Sequence, residues 1–392
     1  MFAKAVVAVW RRELAYLRAH PWDLALVSWV PALAMALAWA IFAQGVNVRL
    51  PIAVVDQDHS PASRRLLVTL DAVRSVAIAQ RPTDLEAAWP LVRERRVYAV
   101  LQIPPDWERR GRRGDPLPVV LYTNEQYQAA SKSMTNDIVG ALADTEIAAG
   151  VRKLALLGGG LDGAERRIGA VRAELRTLYN PQLSFELTLA GTFLPHILHI
   201  FVLAGAAYAL GREYRDHTAG QWLAAANGSI VAAVAGKLLP LLAWATLLGL
   251  GILAWCAGYR GWPVNGSLLV WWCGLETLLF ACCAVPSLFI GLTGTLRVAL
   301  AALAIANITA VSFTGFTYPL YSMPTAAKVW SAMLPFSYFY QIQQQQWNLG
   351  APVAVSVVPL TVLWGVFIIV PLAIALPLLA KRCRAPQGWG KR

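Results

Sequence analysis

Few residues in this chain have the types and spacing that chemistry requires. His196 and His199 stand at i and i+3 in an apolar run, so one helix face presents two imidazoles that can share a metal ion. No third ligand stands near them, and hydrogen bonding to a neighbouring helix is the favoured account of the pair. Glu276 lies well inside another apolar run, where a charge costs roughly 2.5 to 3.5 kcal/mol and must face protein or water. A substrate or gating role fits it, and so does a structural hydrogen bond. Asn307, Thr309 and Ser312 can line a polar route or pack helices together. Gly158, Gly159 and Gly160 suggest a phosphate loop, but no Gly-Lys-Ser or Gly-Lys-Thr follows and Asp162 has the wrong charge beside a phosphate. A helix C-cap explains these glycines. His59 is the only histidine between residues 46 and 185, and no serine there sits in a nucleophile-elbow setting. The five cysteines, Cys256, Cys273, Cys282, Cys283 and Cys383, form no Cys-x-x-Cys pair. No catalytic residue, metal ligand or cofactor-binding residue is therefore assigned.

The elements around these residues define the class of protein. Hydrophobic residues make up 57% of the chain and charged ones only 14%, which is the balance of a membrane protein. Leu24 to Phe42 reaches the roughly 20 apolar residues that a bilayer core requires. Further candidate spans are Leu187 to Leu210, Leu238 to Cys256, Leu268 to Leu292, Val298 to Phe316 and Val353 to Leu379, six in all. The basic residues outside 46–185 sit near the ends of these runs. With a cytoplasmic N-terminus only Arg260 and Lys328 fall outside, as the positive-inside rule asks. Residues 1–22 place Phe2, Val6, Val9, Trp10, Leu14 and Leu17 on one helical face, with Lys4, Arg11, Arg12 and Arg18 around the rest. That is the pattern of a cytoplasmic interfacial helix before the first span, 23–45. The lead-in is too long for a signal peptide and no clean cleavage site follows it. A basic cytoplasmic tail, 381–392, ends the chain.

Residues 46–186 read as an extracytoplasmic α/β domain. Leu50 to Val55, Val76 to Ala79, Val97 to Ile103 and Val119 to Tyr122 are β-rich runs. Between them, Ser60 with Pro61 starts one helix, and Thr83 with Glu86 forms a capping box for another that ends at Arg95. A long helical pattern from Gln126 to Leu157 stops at the three glycines. The expected fold is thus membrane α-helical, six transmembrane helices, with an inserted extracytoplasmic α/β domain.

Three stretches then carry a family likeness. Tyr179, Asn180 and Pro181 lead through Phe185 into the second span. Gly211, Arg212, Glu213, Tyr214, Arg215, Asp216, His217 and Thr218 follow that span, with Gly236, Lys237 and Pro240 opening the next. Gly315, Phe316, Thr317, Tyr318, Pro319, Leu320, Tyr321, Ser322, Met323 and Pro324 follow the fifth, with Leu334, Pro335 and Tyr338 beyond. The chain resembles the permease subunit of ABC transporters of the type-2 class, in the branch with a large extracytoplasmic domain between its first two spans. The second stretch is similar to the family's Arg-Glu-Arg-Glu-x-Gly-Thr segment at Arg212, Glu213 and Thr218, and departs from it at Tyr214, Arg215, His217 and Gly220. The third is similar to the family's Gly-Phe-x-Phe-Pro-x-x-x-Met-Pro signature, with Tyr318 for the second Phe.

This resemblance implies an exporter half that moves a hydrophobic or amphipathic substrate out of the cytoplasm or inner membrane. It implies ATP bound on a separate cytoplasmic ATPase, a second permease copy or sister permease, contact with lipids, room for a periplasmic adaptor, and no nucleic acid. The coupling segment is 211–228, with Arg212, Glu213, Arg215, Thr218 and Lys237 as ATPase-coupling candidates and Trp222 and Leu223 as its apolar side. Candidates for gating or translocation are Glu276, Asn307, Gly315, Phe316, Pro319, Met323 and Pro324. The segment 315–345, broken by prolines, is expected to dip back or lie at the outer surface, with Tyr318, Tyr321, Trp330, Phe336, Tyr338, Phe339 and Tyr340 in an aromatic belt. Rival classes are a membrane receptor, for which the tail is too short an output module, a membrane enzyme using His196, His199 and Glu276, and a secondary transporter, for which no inverted repeat is visible.

Overall fold

The computed structural model describes residues 1–43, 45, 48–113, 119–123, 131–142, 180 and 184–385. The chain divides into two compact units: Gln44–Phe185, and a helical unit made of Met1–Ala43 with Glu186–Arg392.

In the first unit, the β-branched Ile52, Val54 and Val55 favour β1 (Leu50–Asp56), and the Ser60 hydroxyl accepts from the Ser63 amide to start α4 (Pro61–Asp71). Then come β2 (Val76–Gln80), α5 (Leu85–Arg93), β3 (Ala99–Ile103), α6 (Trp107–Arg113), β4 (Val120–Thr123) and a helix α7 over 131–142. The sheet order is β2-β1-β3-β4, with β1 parallel to both neighbours and β4 antiparallel to β3. Both faces of β1 are covered: Ile52 and Val54 pack with Leu66, Leu70 and Met134, whereas Ala53 and Val55 pack with Ala88 and Val97. Such two-sided burial suits a parallel pair. The cap of α5 differs from expectation, because Asp84 rather than Thr83 accepts the Ala87 amide, at 2.8 Å. α6 was not foreseen. Gly158 to Gly160, the end of the long helix, Tyr179 and Pro181 lie outside the described residues.

The helical unit opens with α1 (Phe2–Ala19), α2 (Pro21–Val27) and α3 (Trp29–Phe42). α2 and α3 meet at 44° rather than forming one straight span. The cause is local. Pro31 cannot donate to the carbonyl of Val27, and the Ser28 hydroxyl turns back on the Leu24 carbonyl at 2.5 Å. Four longer helices follow, each long and apolar enough to cross a bilayer: Glu186–Arg215, Ile230–Tyr259, Leu268–Thr293 and Val353–Arg384. Within them we distinguish α8 (Gly191–Arg215), α10 (Ile230–Leu253), α11 (Leu268–Thr293), α16 (Val353–Trp364) and α17 (Val370–Arg384). π-turns at Glu186–Ala190, Ala254–Tyr259 and Gly365–Ile369 complete these elements. The short helix α9 (Ala219–Ala225) links α8 to α10.

The remaining expected span, Val298 to Phe316, is instead α12 (Leu296–Ile308) and α13 (Ala310–Phe313), divided at Thr309. Side chains there compete for backbone carbonyls: Asn307 donates to Leu303, Thr309 to Ala306 and Thr314 to Val311. After it come a 3₁₀ turn at Leu320–Ser322, α14 (Thr325–Ala332), α15 (Pro335–Gln343) and a π-turn at Gln344–Leu349. Pro335 occupies the first turn of α15, where its missing N–H costs nothing. The aromatic belt expected here is divided. Tyr318 and Tyr321 are exposed, but Phe336, Phe339 and Tyr340 are buried in the bundle core because α15 packs on α11, α16 and α8.

Candidate functional site

α1 reaches the body of the unit through one seam. Ala5, Val9, Glu13 and Leu17 recur every four residues and are all buried. The face expected to enter the bilayer interface is therefore offset: Phe2 is exposed, and the seam carries an acid. Close approach to α10 is possible because residue 236 is glycine, since a Cβ there would stand 2.5 Å from the Val6 carbonyl oxygen and 2.8 Å from Val9 Cβ.

That approach brings Glu13 to Lys237, one residue beyond Gly236, with Lys237 Nζ donating to Glu13 Oε2 at 2.8 Å. The same ammonium donates to Glu213 Oε1 at 2.5 Å. Arg212 pairs with Glu13, and Arg12 donates both terminal nitrogens to Glu213, at 2.7 and 2.9 Å. The Thr218 hydroxyl, at the start of α9, donates to Glu213 Oε2 at 2.5 Å. Three cations thus share two carboxylates across α1, α8, α9 and α10. Arg212, Glu213 and Lys237 are 3%, 2% and 1% exposed. Burial draws the Arg12 guanidinium down, but its hydrogen bonds to Glu213 and that carboxylate's charge more than offset this and leave it raised.

Aromatic groups enclose the cluster. The Arg212 guanidinium lies 3.5 Å from the centre of the Tyr16 ring, and Trp222 donates its indole N–H to the Ala233 carbonyl at 3.0 Å. Burial and a 2.9 Å hydrogen bond to Asp23 hold the Tyr16 hydroxyl above the ordinary tyrosine range.

This arrangement revises the expected coupling surface. The side chains of Arg212, Glu213 and Lys237 face inward, and Trp222 and Leu223, expected to form a docking side, are buried too. What α8 and α9 leave exposed is Arg215, Asp216, His217, Gln221 and Asn227, while Thr218 is half-buried. Hydrogen bonds from Arg215 at 2.7 and 3.0 Å hold the Asp216 carboxyl below its usual range.

The gating candidates are more scattered. Glu276 accepts from Thr246 at 3.0 Å through Oε2, and its buried Oε1 has no partner among the described residues. Asn307 is buried with its Oδ1 likewise unpaired. Gly315 has φ of 92°, a conformation that favours glycine, and Phe316 packs edge-on against Phe193 and Tyr340. Pro319 precedes the 3₁₀ turn, Met323 is buried, and Pro324 precedes α14. Beside them is a depression of about 280 Å³ lined by Leu320, Tyr321, Lys328, Ser331, Tyr338 and Gln341. His196 and His199 flank the Phe336 ring, at 4.6 and 5.1 Å between centres. Neither nitrogen of His199, nor Nδ1 of His196, makes a close hydrogen bond among the described residues, although the Asn307 side chain of α12 interacts with His199. No group of three or more metal-ligating side chains is found among the described residues.

At the opposite end of the 186–215 helix, a second ionic joint was missed by sequence reasoning. Arg260 donates to both oxygens of Glu186, at 2.7 and 2.8 Å, and the Trp39 indole donates to the same carboxylate at 3.0 Å.

Residues 21–376 match the family model described as ABC-2 family transporter protein. The chain belongs to that family. It is a multi-pass membrane permease of an ATP-binding-cassette transporter, a transport subunit of a class that works with a separate ATPase. A search of curated proteins finds no match.

Proposed function

We propose that this permease forms the membrane path of an exporter for a hydrophobic or amphipathic substrate, driven by ATP bound on its cytoplasmic partner. In this reading the chain lies in a bacterial inner membrane with both termini cytoplasmic. α2 with α3, and α12 with α13, supply two of six crossings, and residues 46–186 lie outside the cytoplasm. A second copy or sister permease completes the transporter, and residues 46–186 meet substrate or an adaptor protein. The segment 315–345 forms the outer rim, with Gly315 as its hinge.

The observation that carries the coupling role is the ion cluster. It locks the base of α8, the start of α9 and the first turns of α10 to α1, so force applied at the exposed Arg215–Gln221 surface reaches two long helices together. Arg212, Glu213, Thr218 and Lys237 are then positioning residues behind the docking surface. Co-reconstitution of the full chain with its ATPase tests this. Arg215→Glu with Gln221→Glu is expected to lower permease-dependent ATPase activity at least several-fold while the thermal unfolding midpoint stays unchanged. Unaltered activity and unaltered assembly would sink the assignment.

A further inference from the structure

The inward face of α1 is spent on the ion cluster, and its outward face carries a second pattern. Lys4, Arg11 and Arg18 are exposed and stand seven residues apart, so they lie along one line at about 10.5 Å intervals. Among the described residues none of the three has an ion-pair or hydrogen-bond partner, in contrast to Arg12, which turns inward to Glu213. Between and beyond them the helix surface is apolar. Val7 is 40% exposed, Ala8 is exposed, and Trp22, at the start of α2, is 81% exposed.

Depth is set by connectivity. Only His20 separates α1 from α2, and the apolar run that enters the bilayer begins at Leu24. α1 also packs along the first turns of α10, at the beginning of that long apolar helix. Arg18 and Trp22 therefore lie at the boundary between hydrocarbon and water, with Arg11 and Lys4 on the same line.

We propose that this outward face of α1 is a docking surface for anionic phospholipid headgroups. Aligned cations with exposed aromatic and aliphatic side chains beside them match an interface in which phosphates lie above acyl chains. An acidic protein partner would account for the cations and leave Val7 and Trp22 without a role. The proposal depends only on the chain's being embedded in a bilayer, not on the direction of transport or on the coupling surface. Its consequence is that α1 ties the leaflet to the ion cluster, with headgroups on one side and Glu13 on the other.

The test uses the full-length chain in nanodiscs of equimolar phosphatidylglycerol and phosphatidylcholine. Native mass spectrometry then measures which lipids the chain retains after transfer to mild detergent. Enrichment of phosphatidylglycerol is expected for the unaltered chain, weakened by high salt. The triple variant Lys4→Gln, Arg11→Gln, Arg18→Gln should lower the enrichment about fivefold or more. The charge-conserving variant Lys4→Arg, Arg11→Lys, Arg18→Lys should keep it, and single Gln substitutions should each give a smaller loss. Equal enrichment in the unaltered chain and the Gln variant, or no enrichment in either, overturns the proposal. So does a Gln variant that retains phosphatidylglycerol but no longer captures its ATPase, which would reassign the face to a protein.

Discussion

The helix spanning residues 186–215 carries one carboxylate at each end, and the two are held in different ways. Glu213 is enclosed by Arg12, Lys237 and Thr218, with Glu13 and Arg212 completing a buried network over four helices. Glu186 has Arg260 and Trp39, and the Arg260 side chain remains 35% exposed. In the first joint Glu13, Glu213, Arg212 and Lys237 have traded water for protein partners and only Arg12 keeps 31% exposure, so removing one buried group strands another. In the second, solvent can replace what is lost. Burial, more than the number of hydrogen bonds, decides how much the bundle depends on each.

That contrast can be broken most directly at Glu213. Glu213→Ala leaves three cations facing one carboxylate, and a loss of about 3 to 5 kcal/mol is expected, read as a lowered unfolding midpoint in detergent. Lys237→Met should cost clearly less, because two arginines and two glutamates still balance. Equal losses from the two would show that the charge balance is not what matters. Next in size, Gly236→Ala forces a methyl group against the Val6 carbonyl and should cost about 1 to 3 kcal/mol as α1 is displaced. The smallest effect is expected at the exposed joint, where Glu186→Gln keeps an acceptor for Trp39 and should shift the midpoint less than either change above. A shift as large as that of Glu213→Ala would erase the distinction between the two ends.

Sequence patterns made the architecture legible where one physical rule dominated. Apolar length located the four long helices, and Ser60 with Pro61 announced α4. Patterns failed where a distant partner decided the outcome. Glu13 reads as an ordinary surface acid, and its cation partners Arg212 and Lys237 lie 199 and 224 residues away. Its spacing of four from Val9 and Leu17 was the available signal, because it put a carboxylate in line with a packing seam. Arg260 was counted only for orientation, since nothing local tied it to Glu186. The division at Thr309 came from Asn307 and Thr309 bonding back to their own helix, a competition that hydropathy does not register. Phe336 and Phe339 were misplaced because an aromatic residue near a span end serves a belt or a core equally well until helix packing chooses.

The Trp39–Glu186 hydrogen bond has a further consequence, for assembly. Trp39 lies five residues before the start of the unit Gln44–Phe185 and Glu186 directly follows it, so the chain leaves and re-enters the helical unit through neighbouring side chains. The helical unit treats everything between them as a single closed loop. Loop closure grows only as the logarithm of length, at about 0.6 kcal/mol per doubling, so a large insertion here adds little entropic cost beyond that of a short connector. This gap is a tolerant splice point, where one module can be exchanged for another while the bundle's own helix contacts stay as they are.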